Sequence, residues 1–125
     1  MTDISENEMA NTLRKNLLDV LDLWISKEEQ LAYQENVPIA QVSSELFNQW
    51  EDFYYPESDS FKLAFDERER KILSDFDKIL NHINDKTLNN LPYITDFIKT
   101  NDWQVVNKAA IDTKKRLKNT AANNI

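Results

Sequence analysis

The sequence predicts an all-α protein, with residues 1–125 forming a single domain of about five or six helices in an irregular bundle. Apolar residues recur at helical spacing in six segments, and no segment has the pattern of a strand. The apolar fraction of 41% is enough to build a core, and neither an internal repeat nor sustained heptads are present. Residues 1–5 and 119–125 are predicted to be frayed tails.

The first predicted helix spans about residues 6–25. Its apolar stripe consists of Met9, Leu13, Leu17, Val20, Leu21 and Trp24. Leu18, Leu23 and Ile25 widen the stripe, so this helix should lie deep in the bundle.

The second helix is predicted near residues 27–36. Ser26 followed by Glu29 is the signature of a capping box at its start. Pro38 is predicted to stop this helix, because the residue before a proline avoids helical geometry.

The third helix is predicted to begin at a cap formed by Ser43 or Ser44 and to run to about Tyr55, where Pro56 ends it. Its apolar face consists of Leu46, Phe47, Trp50, Phe53 and Tyr54. Residues 57–60 have the composition of a loop.

The fourth helix should begin with Asp66 and Glu69 as a capping pair and run to about Asn84. Its predicted buried stripe is Ile72, Leu73, Phe76, Ile79, Leu80 and Ile83. Opposite charges four residues apart, as in Lys71 and Asp75, are typical of a solvated helix face.

Two further helices complete the predicted bundle. The fifth is short, near residues 91–99, with Pro92 at its first position. The sixth spans about residues 102–118 behind a cap at Thr100 or Asn101. Its buried residues are predicted to be Trp103, Val106, Ala110 and Leu117.

The residue types that most enzymes need are scarce in this chain. It has no glycine and no cysteine, which removes phosphate-binding loops, nucleophile elbows, zinc clusters and redox pairs. Its one histidine, His82, is predicted to lie on an exposed flank of the fourth helix. The paired carboxylates are interpreted as solvated surface groups. We therefore expect no catalytic residues, no metal site and no cofactor.

Charge is distributed unevenly along the chain, whose net charge is −7. Residues 1–66 carry 14 acidic and 4 basic side chains, whereas residues 67–125 carry 8 acidic and 11 basic ones. The acidic half can serve solubility alone or can present a surface to a basic partner. Direct binding to nucleic acid is disfavoured because phosphates repel an acidic protein. The basic residues near the end of the sixth helix are interpreted as complementing the helix dipole.

The segment from Glu51 to Pro56 suggests a binding surface. Tyr55 is predicted to point about 140° away from the buried face, among acidic side chains. An aromatic residue in such a position is typical of an interface hot spot, although it can also simply cover the following loop. The predicted partner-binding residues are Asn48, Glu51, Asp52, Tyr54, Tyr55, Glu57 and Asp59.

The same segment resembles the signature of the immunity proteins that neutralise colicin nucleases. In that family an acidic residue, two variable positions and Tyr-Tyr-Pro end a short helix in a small acidic bundle. Here Glu51 takes the acidic place, and Tyr54, Tyr55 and Pro56 take the rest. The resemblance covers six of 125 residues. It implies that the tyrosines contact a basic toxin domain beside its active site, as in a bacterial toxin-neutralising protein.

Alternative functions remain open from the sequence. One is a structural or adaptor bundle that self-associates through Val105 and Ile111, which lie off the main stripe of the sixth helix. Another is an inhibitor that mimics DNA with its acidic groups and needs no Tyr55. No apolar run is long enough to cross a membrane, and residues 1–6 do not resemble a secretory signal. We therefore expect a cytoplasmic protein without a membrane partner.

Overall fold

The computed structural model describes the backbone of residues 2–123 and the side chains of residues 5–119. This part of the chain is 81% helical, without strands, which confirms the predicted all-α bundle. It contains seven helices, one more than the upper predicted number: α1 (Thr2–Ile25), α2 (Lys27–Asn36), α3 (Val42–Phe53), α4 (Asp59–Ala64), α5 (Glu67–Thr87), α6 (Ile94–Phe97) and α7 (Asn101–Asn123). Met1, Asn124 and Ile125 lie outside the described residues, whereas residues 2–5 and 119–123 of the predicted tails have helical backbone.

The additional helix is α4, in a segment that was partly predicted to be a loop. Ser58 caps it, because its hydroxyl accepts a hydrogen bond from the backbone N–H of Phe61 at 3.2 Å. Phe61 is fully buried, so the short helix is stabilised mainly by packing. A polar segment that contains a serine able to cap a helix can begin a helix as readily as it can form a loop.

Helix starts agree with the sequence at three positions and differ at three, one of which is α1, which begins at Thr2 rather than near residue 6. Ser26 and Thr100 cap α2 and α7, and Asp66 forms a reciprocal capping box with Glu69 at α5. The cap of α3 is the Gln41 side chain rather than Ser43 or Ser44. Pro92 precedes α6 instead of occupying its first position, because α6 begins only at Ile94.

Helix ends are built without glycine. The residues that follow α2, α3 and α4 have φ values of −130°, −93° and −133°, and no described residue has a positive φ. None of these helices therefore ends in the left-handed turn that glycine usually supplies, and α3 and α4 end in extended backbone. At the end of α1, the Asn107 amide donates to the carbonyls of Trp24 and Ile25, each at 3.0 Å. Side-chain amides thus satisfy carbonyls that a glycine turn often satisfies.

Helix α1 is the centre of the bundle and packs against α2, α3, α4 and α7. Helix α7 runs antiparallel to α5, because Lys86 binds Asp102 and Arg116 binds Asp75. It also runs antiparallel to α1, because Asn107 bonds to the end of α1 whereas Lys114, farther along α7, binds Asp22. Two bases of the last helix therefore pair across the bundle, and α7 continues beyond them to Asn123. The interpretation that they complement the dipole at a helix end was wrong.

The core contains two aromatic clusters that α3 links. Trp24 packs edge-on to Phe47 and Phe97 with ring centroids 5.1 Å and 6.5 Å apart. The second cluster comprises Trp50, Tyr54, Phe61, Phe65 and Phe76. Two residues of the predicted stripes are exposed to solvent: Met9 is 58% exposed and Ile79 is 38% exposed.

Candidate functional site

Tyr55 lies in the connection between α3 and α4, not on the outer face of a helix as the sequence predicted. Helix α3 ends at Phe53, and Tyr54 is its C-terminal cap with φ −93° and ψ 91°. Pro56 favours this early end, because it disfavours helical geometry at Tyr55. The Tyr55 side chain is 59% exposed, so the expected exposure is confirmed although the predicted reason for it was wrong.

Tyr54 points in the opposite direction and anchors the connection. Its ring stacks on Trp50 with centroids 5.2 Å apart and meets the edge of Phe61 at 5.4 Å. These contacts explain the apolar character that was predicted for Tyr54. The same contacts argue against the prediction that Tyr54 binds a partner, because its ring already packs on Trp50 and Phe61 within the chain.

Burial is the main cause of a raised pKa at the Tyr54 phenol, and the negative charge of Asp77 raises this pKa further. A hydrogen bond with Ser74 acts in the opposite direction. The phenol therefore stays neutral to a higher pH in the folded chain than in the unfolded chain. The environment of Tyr54 is that of a core residue with a polar tip.

We expect Tyr54→Phe to reduce the loss of stability above about pH 10. Above that pH the unfolded chain releases the phenol proton before the folded chain does, so the free energy of unfolding of the wild type falls. Below the ordinary pKa of tyrosine this contribution to stability is fully present. Urea unfolding of both proteins at about pH 9 and about pH 11 measures the difference. An equal fall in both proteins would contradict it.

Hydrogen bonds from Ser58 hold the backbone at Tyr55. Both the N–H and the hydroxyl of Ser58 donate to the Tyr55 carbonyl, at 3.0 Å and 2.9 Å. The same hydroxyl caps α4. The exposed ring of Tyr55 therefore projects from a fixed backbone, which reduces the entropy that a partner contact would cost.

The remaining predicted site residues are all exposed: Asn48, Glu51, Asp52, Glu57 and Asp59. The first three lie on α3, whereas Glu57 and Asp59 lie in the connection and the first turn of α4. Glu51 accepts a long hydrogen bond from Asn84 at 3.5 Å. Within residues 5–119 the four carboxylates form no ion pair. Their charges thus remain available to an external group.

A groove that the sequence did not predict lies beside Tyr55. Tyr55, Ser58 and Ser60 line one side of it, and α1 residues that include Met9 and Leu13 line the other. The cavity between them has a volume of about 670 Å³. Met9 was assigned to the core because it continues the apolar stripe of α1. Nothing in the sequence distinguishes a stripe residue that is covered from one that is not.

In the described part of the chain, no three acidic or histidine side chains come together as a candidate metal site. His82 is exposed on α5, as predicted. None of the described helices has the length and apolar character needed to cross a membrane.

Comparisons with profiles of known protein families, with curated proteins and with solved structures find no match to this chain.

Proposed function

We propose that this protein is a non-catalytic binding protein that engages a basic protein partner through the surface around Tyr55. The observation that carries the proposal is the pairing of two neighbouring tyrosines with opposite roles. Tyr54 is anchored on Trp50, and Tyr55 is 59% exposed beside Glu57. An anchored backbone, an exposed aromatic ring and nearby acidic groups are the usual components of an interface hot spot.

Electrostatics supports a basic partner. Glu51, Asp52 and Glu57 are exposed and form no ion pair within residues 5–119. Exposed charges of one sign accelerate the approach of an oppositely charged protein and are screened by salt. Association should therefore slow as the salt concentration rises.

The partner that we propose is a toxin domain of the nuclease type, which this protein would neutralise as a bacterial immunity protein does. The resemblance of Glu51–Pro56 to the colicin immunity proteins motivates this proposal, with a helix that ends just before the two tyrosines. A nuclease surface is basic because it must bind phosphates. The cytoplasm is the compartment that we propose for this function.

Tyr55→Ala is expected to weaken partner binding by about 2 kcal/mol or more, which corresponds to about 30-fold in Kd. The variant loses a rigid contact surface without losing a core contact. The test is affinity capture from the native cell lysate with the wild type and the variant immobilised in parallel. The wild type should retain a basic polypeptide, and the purified polypeptide then allows Kd to be measured.

Tyr93→Ala is the matched control, because Tyr93 is 64% exposed in the connection before α6. It should bind as the wild type does. Retention of an acidic polypeptide, or an equal Kd for the wild type and Tyr55→Ala in both low and high salt, would contradict the proposed function. Competition between the protein and DNA that is unaffected by Tyr55→Ala would instead favour a DNA mimic.

Self-association through α7 is a second candidate function. Val105 is 40% exposed, whereas Ile111 is half-buried, so Val105 is the more accessible of the two apolar side chains of the proposed seam. Sedimentation equilibrium distinguishes the candidates. A strict monomer at high protein concentration would rule out the self-associating bundle.

A further inference from the structure

Two adjacent cavities form one continuous groove between the first turns of α1 and the segment that contains Tyr55 and α4. Their volumes are about 670 Å³ and about 640 Å³, and both are lined by Met9 and Ser60. On α1 the lining runs from Ser5 to Asn16. This corresponds to about 17 Å of helix, the length of about three turns.

The floor of the groove is apolar and partly uncovered. Met9 and Leu63 are 58% and 59% exposed, and both line the second cavity. Leu13 and Tyr55 line the first cavity. Met9 continues the stripe that buries Leu17 and Trp24 farther along α1, so the groove is an extension of the core face that no described residue covers. Methionine is adaptable in shape and is common on surfaces that bind helices.

The rim of the groove is acidic. Glu8 lines the first cavity, and Glu6 and Asp59 line the second. None of the three forms an ion pair within residues 5–119. Among the described residues, Lys62 is the one basic side chain that lines these cavities. An apolar floor with an acidic rim is complementary to a segment that is apolar on one face and basic on the other.

The two walls of the groove are fixed to each other by Arg14. Its guanidinium donates to the Ala64 carbonyl at 2.9 Å and to both carboxylate oxygens of Glu69 at 3.1 Å and 2.8 Å. It also lies over the Phe65 ring, 5.0 Å from the centroid. These contacts hold the end of α4 against α1. The groove is therefore present before binding, which lowers the cost of occupying it.

We propose that this groove binds a basic amphipathic helix of the protein partner. Apolar side chains of that helix would insert between Met9 and Leu63, and its lysine and arginine side chains would lie over Glu6, Glu8 and Asp59. The inference rests on the proposed function in that the partner is basic. The inference specifies which part of the partner is bound, and it extends the proposed binding surface from Tyr55 to α1.

A synthetic peptide of about four helical turns tests the groove directly. The peptide carries leucine at helical spacing on one face and lysine on the other, and it is titrated into ¹⁵N-labelled protein while amide chemical shifts are recorded. We expect saturable shifts concentrated at residues 5–16 and 58–63. The double variant Met9→Ser with Leu63→Ser should raise Kd by about tenfold or more, because two apolar contacts are lost.

The matched control is Ile39→Ser, since Ile39 is 97% exposed in the connection between α2 and α3. This variant should bind the peptide as the wild type does, and circular dichroism should show that all variants keep their helices. A second peptide with glutamate in place of lysine should not bind. Shifts spread over all acidic residues, or an unchanged Kd in the double variant, would overturn the inference. Concentration-dependent shifts at the groove without peptide would also overturn it, because a second copy would then be the occupant.

The two proposals can fail separately. If Tyr55→Ala weakens capture of the basic partner but the double variant leaves both capture and peptide binding unchanged, the partner binds without the groove. If the peptide binds in the groove but no basic partner depends on Tyr55, the proposed function fails and the groove remains a binding site.

Discussion

Trp50→Ala is expected to lower the free energy of unfolding by about 3–5 kcal/mol. The Trp50 ring is fully buried between Tyr54 and Phe76, with ring centroids 5.2 Å and 4.9 Å away. Its Nε1 donates to Asp77 Oδ1 at 2.9 Å. The substitution opens a cavity at the centre of the second aromatic cluster and removes that hydrogen bond, so two destabilising effects add.

The same substitution should also weaken partner binding, because Tyr54 loses the ring on which it stacks and no longer holds the connection that presents Tyr55. Urea unfolding gives the stability, and the capture assay gives the binding. Trp50→Phe keeps an aromatic ring and should lose less stability than Trp50→Ala. Tyr93→Ala changes an exposed aromatic residue and should stay within about 0.5 kcal/mol of the wild type. A Trp50→Ala protein as stable as this control would show that the cluster contributes little.

Gln30→Glu is expected to destabilise the folded chain by about 3 kcal/mol or more at neutral pH. Gln30 is fully buried, and its amide nitrogen donates to the carbonyls of Leu23 and Trp24 at 2.8 Å and 3.1 Å. Its amide oxygen accepts from Trp103 Nε1 at 2.9 Å. A carboxylate preserves the shape and the bond to Trp103, but it places a charge against two carbonyl oxygens that need a donor.

The loss of stability caused by Gln30→Glu should be smaller near pH 4. Burial and the facing carbonyls raise the pKa of the introduced carboxyl in the folded chain above its unfolded value of about 4.3. The protonated acid can donate one hydrogen bond, so its contribution to stability is present at low pH and is lost as the pH rises through the folded pKa. The difference in unfolding free energy between wild type and variant should therefore widen from about pH 4 to about pH 7.

Urea unfolding of the wild type and the variant at both pH values measures this difference. Gln104→Glu makes the same chemical change at an exposed position of α7 and should alter stability by no more than about 0.5 kcal/mol. A variant whose difference from the wild type does not depend on pH would indicate that water or a shifted backbone solvates the introduced carboxyl.

Parts of the candidate site were predictable from the sequence because they depend on local properties. Pro56 and the pattern around Trp50 indicated that a helix ends near the two tyrosines, and the excess of acidic residues in the first half indicated a negatively charged surface. The opposite roles of Tyr54 and Tyr55 were not predictable. Tyr54 is anchored by Phe61, which belongs to a helix that was not predicted, and the angle assigned to Tyr55 assumed a helix that had already ended.

The groove is a purely tertiary feature. The stripe of α1 continues without interruption from Met9 to Trp24, and the sequence gives no sign that its first turns lie beyond the core. Met9 is exposed because of where α4 and the connection at Tyr55 cross α1, and Arg14 fixes that crossing by binding Ala64 and Glu69. Contacts between residues so far apart in the chain leave no periodic signal.

The sequence by itself determined the helical class, the starts of α2, α5 and α7, and the sign of the surface charge, because helical spacing, capping residues and charge are local or additive properties. The tertiary structure alone decided which apolar residues are covered, which bases of α7 pair across the bundle and where Tyr55 points. Each of these depends on the relative placement of helices, which is set by the packing of many distant side chains at once.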